Sequence, residues 1–337
     1  MAYTAIDDPE AYFQVKTYTG TNASTSFTLD GDTDMQPDLV WLKVRSAGSG
    51  QDHTLFDSVR GVQKFLESNT NLAEATGSNY LTAFNSDGFT LGDDQSHVNA
   101  SGDTYVAWCW KESATAGFDI VAYTGNATDR TISHSLSAVP KVILVKRLSG
   151  GDSQWAMYHH TLSNNNFLVL NTTGASATTD HWNDTDPTSS VFSINSTGDE
   201  VNVNTDTYIA YLWAEKQGFS KFGSYTGNGS GTDGTFVHTG FKVAWLLVKQ
   251  TNASGESWFV WDNKRSSSSG SNEKDKYIYA NLSNVEGSGG VDCDFLSNGF
   301  KHYYSGDASN ASGATYSYMA FAEAPFVNSK GVPCNAE

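Results

Sequence analysis

One pattern of about 100 residues comes round three times in this chain, and it limits the fold more than any other feature. Each copy opens on Tyr-Thr-Gly (Tyr18-Thr19-Gly20, Tyr123-Thr124-Gly125, Tyr225-Thr226-Gly227) and runs into an apolar strand that ends in lysine. Those lysines, Lys43, Lys146 and Lys249, stand 103 residues apart at both steps, a regularity that unrelated strands do not produce. Each copy closes on a tyrosine-rich segment: Tyr105-Val106-Ala107-Trp108-Cys109-Trp110, Tyr208-Ile209-Ala210-Tyr211-Leu212-Trp213 and Tyr316-Ser317-Tyr318-Met319-Ala320-Phe321. The first and third copies share a Ser-Asp-Gly-Phe or Ser-Asn-Gly-Phe turn at Gly88 and Gly299, which the second replaces with Val191-Phe192-Ser193-Ile194.

The period divides the chain into an N-terminal arm at 1–15 and three repeats at 16–116, 117–217 and 218–337. Each repeat is the size at which a single core closes. Short strand-like runs, an aromatic content of 13%, and Gly, Ser, Thr and Asn crowding the intervals predict an all-β fold of antiparallel β-sandwiches. No helical periodicity persists; the segment from Gly61 to Ala75 is the best helix candidate and a weak one. The closing strands are apolar on both alternating faces, so each is expected to be covered on one side by its own sandwich and on the other by a neighbouring repeat or subunit. Linkers of a few residues press the repeats together. A pseudo-threefold ring closed by one chain is one expectation, and a homo-oligomer the other. The Ser/Gly-rich run from Arg265 to Lys276 reads as an exposed hairpin tip.

A formal charge of −17 with only 20 basic residues argues against a nucleic-acid partner. No stretch is long and apolar enough for a membrane-spanning helix, and the first ten residues lack the pattern of a secretory leader, so the chain is expected to fold in the cytoplasm. Three widely separated cysteines, Cys109, Cys293 and Cys334, form neither a disulfide framework nor a zinc motif.

Several residues could carry chemistry. An Asp-x-x-Arg element occurs twice, as Asp57–Arg60 and Asp262–Arg265, and can hold a turn or grip a ligand hydroxyl; the recurrence favours the turn. Asp30, Asp32 and Asp34 alternate as at the start of a calcium loop but lack its central glycine and distal glutamate, so calcium is the one cofactor candidate. His159 and His160 are adjacent on a strand and should face opposite ways. Trp182, Tyr303 and Tyr304 lie among polar residues and are the candidates for exposed sugar-stacking surfaces. No nucleophile elbow, phosphate loop or zinc-protease signature occurs, and no enzymatic activity is expected.

The phrases Pro37-Asp38-Leu39-Val40-Trp41-Leu42-Lys43, Asp57-Ser58-Val59-Arg60-Gly61, Ser86-Asp87-Gly88-Phe89-Thr90 and Phe219-Ser220-Lys221-Phe222-Gly223-Ser224-Tyr225-Thr226-Gly227, with the opening Met1-Ala2-Tyr3-Thr4-Ala5-Ile6-Asp7-Asp8-Pro9, resemble an uncharacterised repeat family of tailed bacteriophages, marine ones especially. The resemblance spans nearly the whole chain. It implies a virion structural protein, often described as tail-fibre, with lectin-like or jelly-roll sandwiches, assembled in the host cytoplasm among other virion proteins. It supplies no catalytic residues. Two roles follow: a tail-associated component touching host-surface glycans, or a head decoration protein that cements or studs the capsid. A polysaccharide-degrading enzyme is a distant third.

Overall fold

The structure is a computed structural model and is described for residues 3–46, 50–196, 198–267 and 271–335. It is all-β, with every strand pairing antiparallel; the one helical turn among the described residues is Pro9–Ala11. The segment 61–75 forms no helix and instead reaches the short strand pair Lys64–Phe65 and Ala75–Thr76. With Gly61 at positive φ and no apolar stripe, nothing there favours helix over extended chain.

In each third of the sequence four strands follow the same order: opening strand, closing strand, lysine strand, and the strand that carries the Asp-x-x-Arg aspartate or its counterpart. In the first they are Phe13–Thr19, Thr104–Trp110, Leu39–Val44 and Thr54–Asp57; in the second Phe118–Thr124, Thr207–Trp213, Val142–Arg147 and Ala156–His159; in the third Ser220–Thr226, Thr315–Pro325, Phe241–Gln250 and Phe259–Asp262. A smaller layer covers each: Thr25–Phe27, Phe89–Leu91 and Leu81–Phe84 in the first, Arg130–Ser133 with Val191–Ile194 in the second. In the third, long bent strands, Glu273–Tyr279 and Gly287–Leu296, carry one sheet continuously round to Gly299–His302 and Phe236–His238.

The two apolar faces of the closing strands separate as their composition requires. Tyr105, Ala107 and Cys109 point into the core of the first sandwich, and Tyr208, Ala210 and Leu212 into that of the second. Val106, Trp108 and Trp110 join Ile209, Tyr211, Trp213, Met319 and Phe321 in a central core drawn from all three repeats. Eight of the nine tryptophans are under 5% exposed in this core or at its edges, and each buries roughly 200 Å² of largely apolar surface. At the centre, Trp41, Trp110, Leu144, Trp213, Trp245 and Leu247 surround a void of only about 10 Å³, the size of a single water and far below that of a ligand pocket.

The Tyr-Thr-Gly signal has a local cause. Its tyrosine stacks on the first tyrosine of the closing strand in every repeat, Tyr18 on Tyr105, Tyr123 on Tyr208 and Tyr225 on Tyr316, with ring centroids 5.0–5.1 Å apart. Its hydroxyl donates to a backbone carbonyl, of Val98, Val201 or Ser309. The glycine then passes so close to the lead-in of the closing strand that a Cβ on Gly20, Gly125 or Gly227 would fall 2.0–2.2 Å from a carbonyl oxygen. A buried asparagine, Asn99, Asn202 or Asn310, clamps the same corner by accepting from the chain just past that glycine.

Short linkers join the first repeat to the second and the second to the third. The N-terminal arm bridges the remaining junction without a covalent link. Tyr3 donates to the Gly240 carbonyl (2.7 Å), Asp7 accepts from the Ser329 amide (2.6 Å), and Phe13 stacks on Phe321 at 5.2 Å.

Candidate functional site

Polar side chains that the repeats share do not converge on one pocket; they line the junctions between repeats and run round them in a cycle. The three strand lysines are fully buried. Each donates to a carbonyl of its own repeat and to one of a neighbour: Lys43 to Ser283 of the third (3.0 Å), Lys146 to Asn71 of the first (2.8 Å), Lys249 to Thr173 of the second (3.4 Å). Burial pushes each ammonium down to about 8. A second cycle runs beside it: His53 donates to Tyr279 (2.9 Å), Trp155 to Glu67 (2.9 Å) and Trp258 to Val169 (3.2 Å), all backbone carbonyls of the same neighbours. Backbone bonds repeat the pattern, Glu74 to Leu148, Ser176 to Thr251 and Glu286 to Arg45. First contacts third, second contacts first, and third contacts second, so the contacts close on themselves.

The Asp-x-x-Arg elements belong to a third cycle. Asp57 and Asp262 are fully buried, each paired with its arginine three residues on, and each arginine also donates to a strand carbonyl, of Leu55 or Val260 (both 3.0 Å). The oxygen that each arginine holds also accepts from a neighbouring closing strand: Asp57 Oδ2 from the Tyr211 hydroxyl (2.7 Å), Asp262 Oδ2 from the Trp108 indole (2.8 Å), over which the Arg265 guanidinium also lies. In the second repeat His159 occupies the aspartate position, and its ring donates instead to the Tyr318 carbonyl of the third (3.2 Å). His160 reaches the Phe222 carbonyl (2.9 Å). The two histidines do not face opposite ways: His159 ends its strand, the chain turns, and the rings stack 5.5 Å apart.

These placements decide the fate of the sequence candidates. Asp57, Arg60, Asp262 and Arg265 are sealed within or beside the junctions, where no ligand reaches them. Trp182 is not an exposed platform: it is 1% exposed and packs edge-on against Tyr158 in the second core. Its polar neighbours misled because they form the turn, with Asn183 and Asp184 at positive φ, that drives the indole inward. Tyr303 and Tyr304 are half-buried; the Lys301 ammonium sits over the Tyr303 ring at 5.4 Å. Asp30, Asp32 and Asp34 are exposed and do not converge: Asp30 pairs with Lys16, and among the described residues no three acidic, histidine or cysteine side chains gather as metal ligands. Arg265, expected in an exposed tip, is buried, and residues 268–270 of that tip lie outside the described residues.

Among the described residues, two surface clefts lie against the third repeat where the arm crosses it. One, of about 250 Å³, is lined by Tyr3, Glu215, Lys221, His238 and Thr239. The other, of about 350 Å³, is lined by Glu10, Lys242, Asn263, Lys264, Lys274 and Glu323. Sequence reasoning missed the second; the signal available was Lys264 and Lys274, ten residues apart in a strongly acidic chain.

The fold thus defines an all-β protein of β-sandwich character whose sheets share one central core. The chain belongs to the family described as a domain of unknown function, DUF7483, whose model matches residues 8–325. No curated protein matches it.

Proposed function

We propose that this chain is a non-enzymatic structural component of a tailed-bacteriophage particle, tail-associated, that holds loops and clefts toward a host-surface glycan. The observation that carries the reading is the cyclic use of the shared residues. Lysines, tryptophans and Asp-x-x-Arg pairs that recur in sequence all hold repeat to repeat. A residue type that recurs for scaffolding leaves the outer surface free to differ from repeat to repeat, as display requires. The phrases shared with phage structural repeats supply the particle context.

A second reading, head decoration, is favoured by one specific feature. A single chain with three-way internal contacts matches a local threefold position on a capsid lattice without needing three copies. Immunogold labelling or cryo-electron microscopy of intact particles separates the two. Density at the tail supports attachment, density over the head lattice replaces it with decoration, and absence from purified particles refutes both.

A further inference from the structure

We infer that the cleft of about 350 Å³ between the N-terminal arm and the third repeat binds an acidic saccharide, with its carboxylate or sulfate against the lysines and its hydroxyls on the adjoining carbonyl and carboxylate oxygens. This inference rests on the attachment reading and names the ligand class.

The cleft is built on the Asp262–Arg265 turn. That turn buries its two end residues and so presents the two between them, Asn263 and Lys264, to the surface. The Lys264 ammonium has no hydrogen-bond or ion-pair partner among the described residues. Lys242 enters from the lysine strand and bridges Glu323 at 3.3 Å. Lys274 enters from the next strand, donates to the Ser271 carbonyl (2.6 Å) and lies 5.7 Å from the Phe295 ring. Three cations from three elements converge here, in a chain that carries 20 against 37 acidic residues and sinks five of the 20 into its junctions.

The same positions are not cationic in the other repeats. Two residues past the aspartate position, where the third repeat has Lys264, the first has Val59 and the second Thr161. Seven residues before the asparagine that caps the following turn (Asn69, Asn171, Asn281), the third has Lys274 where the others have Val62 and Asn164. The lysines therefore do not serve the shared fold.

The acceptors choose the class of anion. Asn263 donates through Nδ2 to Glu323 (2.8 Å), while its Oδ1 is buried and has no partner among the described residues. The Glu10 and Glu323 carboxylates in the lining accept hydrogen bonds and donate none, so they call for an O–H or N–H donor. A bare inorganic anion offers the lysines a charge and these oxygens nothing. A uronic or sulfated sugar offers both, and the cleft volume matches the range of small-ligand sites.

The test is calorimetric titration of the intact chain with an alginate oligosaccharide, a heparin oligosaccharide and neutral maltohexaose. The inference expects saturable binding of at least one acidic oligomer, weakened by added salt, and none of maltohexaose. Lys264→Glu should weaken that binding on the order of tenfold or more with an unchanged unfolding midpoint, since Lys264 is exposed. Lys64→Glu, a reversal on the first repeat, is the control for general charge and should change affinity far less. No saturable binding of either acidic oligomer, equal loss in the two variants, or no loss in Lys264→Glu would each overturn the inference. Because the titration uses the isolated chain, a head location on the particle would remove the attachment role without altering its result.

Discussion

The junction between the first and third repeats is the one that no linker enforces, and the hydrogen bond from the Trp108 indole to Asp262 crosses it with both residues fully buried. A double-mutant cycle measures it. Trp108→Phe removes the N–H and keeps an aromatic ring; Asp262→Asn keeps the shape and removes the charge. Asp262→Asn alone should cost about 1.5–3 kcal/mol, the worth of a buried hydrogen bond to a charged group, since the Arg265 guanidinium keeps Glu286 (3.2 Å) as a counter-charge. The coupling is the informative quantity. Asparagine keeps an acceptor oxygen, so the coupling reads only the charge-assisted part of the indole bond, about 1 kcal/mol, and the double variant should be more stable than the sum of the single losses predicts by that amount. Urea unfolding of the four proteins, followed by far-ultraviolet circular dichroism, gives the cycle. The equivalent pair at the next junction, Tyr211→Phe with Asp57→Asn, should return a coupling of the same size, since the geometry is the same within 0.1 Å. A coupling within about 0.5 kcal/mol of zero, the scatter expected of independent sites, at the Trp108–Asp262 pair but not at the other would refute ring closure through that junction.

Three further outcomes are expected. His302 is fully buried among Tyr225, Trp261 and Phe300, with neither ring nitrogen partnered among the described residues, where the other repeats place Leu91 and Ile194; His302→Leu should stabilise by about 1–3 kcal/mol at neutral pH in thermal or urea unfolding. Burial pushes the His302 imidazole down to about 3, so below pH 6.5 the unfolded chain takes up a proton that the folded chain refuses; stability falls with pH by about 1.4 kcal/mol per unit for this group, and the variant should lose that share of the slope. The strand lysines give the opposite flank: with folded values near 8 against 10.5 unfolded, the unfolded chain holds protons the folded one has released, so stability should rise from pH 8 toward 10. Above that, the buried tyrosines Tyr18, Tyr123 and Tyr225, whose values burial raises, reverse the trend; a flat profile between 8 and 10 would contradict the lysine assignment. Gly125→Ala would put a methyl 2.0 Å from the Val203 carbonyl oxygen and should cost about 1–3 kcal/mol, read as a lower urea midpoint.

The all-β class and the double coverage of the closing strands were legible because both follow from side-chain alternation, which is local. The role of the strand lysines was not, although their spacing was the clearest regularity in the chain. Their acceptors are backbone carbonyls 75 to 240 residues away, and a carbonyl carries no sequence signal. Trp182 shows the converse failure: polar neighbours describe the turn around a side chain, and the direction of the side chain is set by the core beneath it. The buried asparagines Asn99 and Asn310 each open an Asn-Ala-Ser-Gly run before the closing strand, yet their clamp on the glycine corner appears only when opening and closing strands lie side by side.

His302 also shows what it means to build three-way contacts from one polypeptide. In an assembly of three identical subunits a costly residue is present three times, and its penalty is tripled. Here Leu91 and Ile194 keep two sectors apolar while the third alone carries the imidazole. Mass action is absent as well: the three sectors meet at a fixed one-to-one-to-one ratio, and their association does not weaken on dilution. A covalent trimer of this kind can change one sector in three and remain assembled at any concentration.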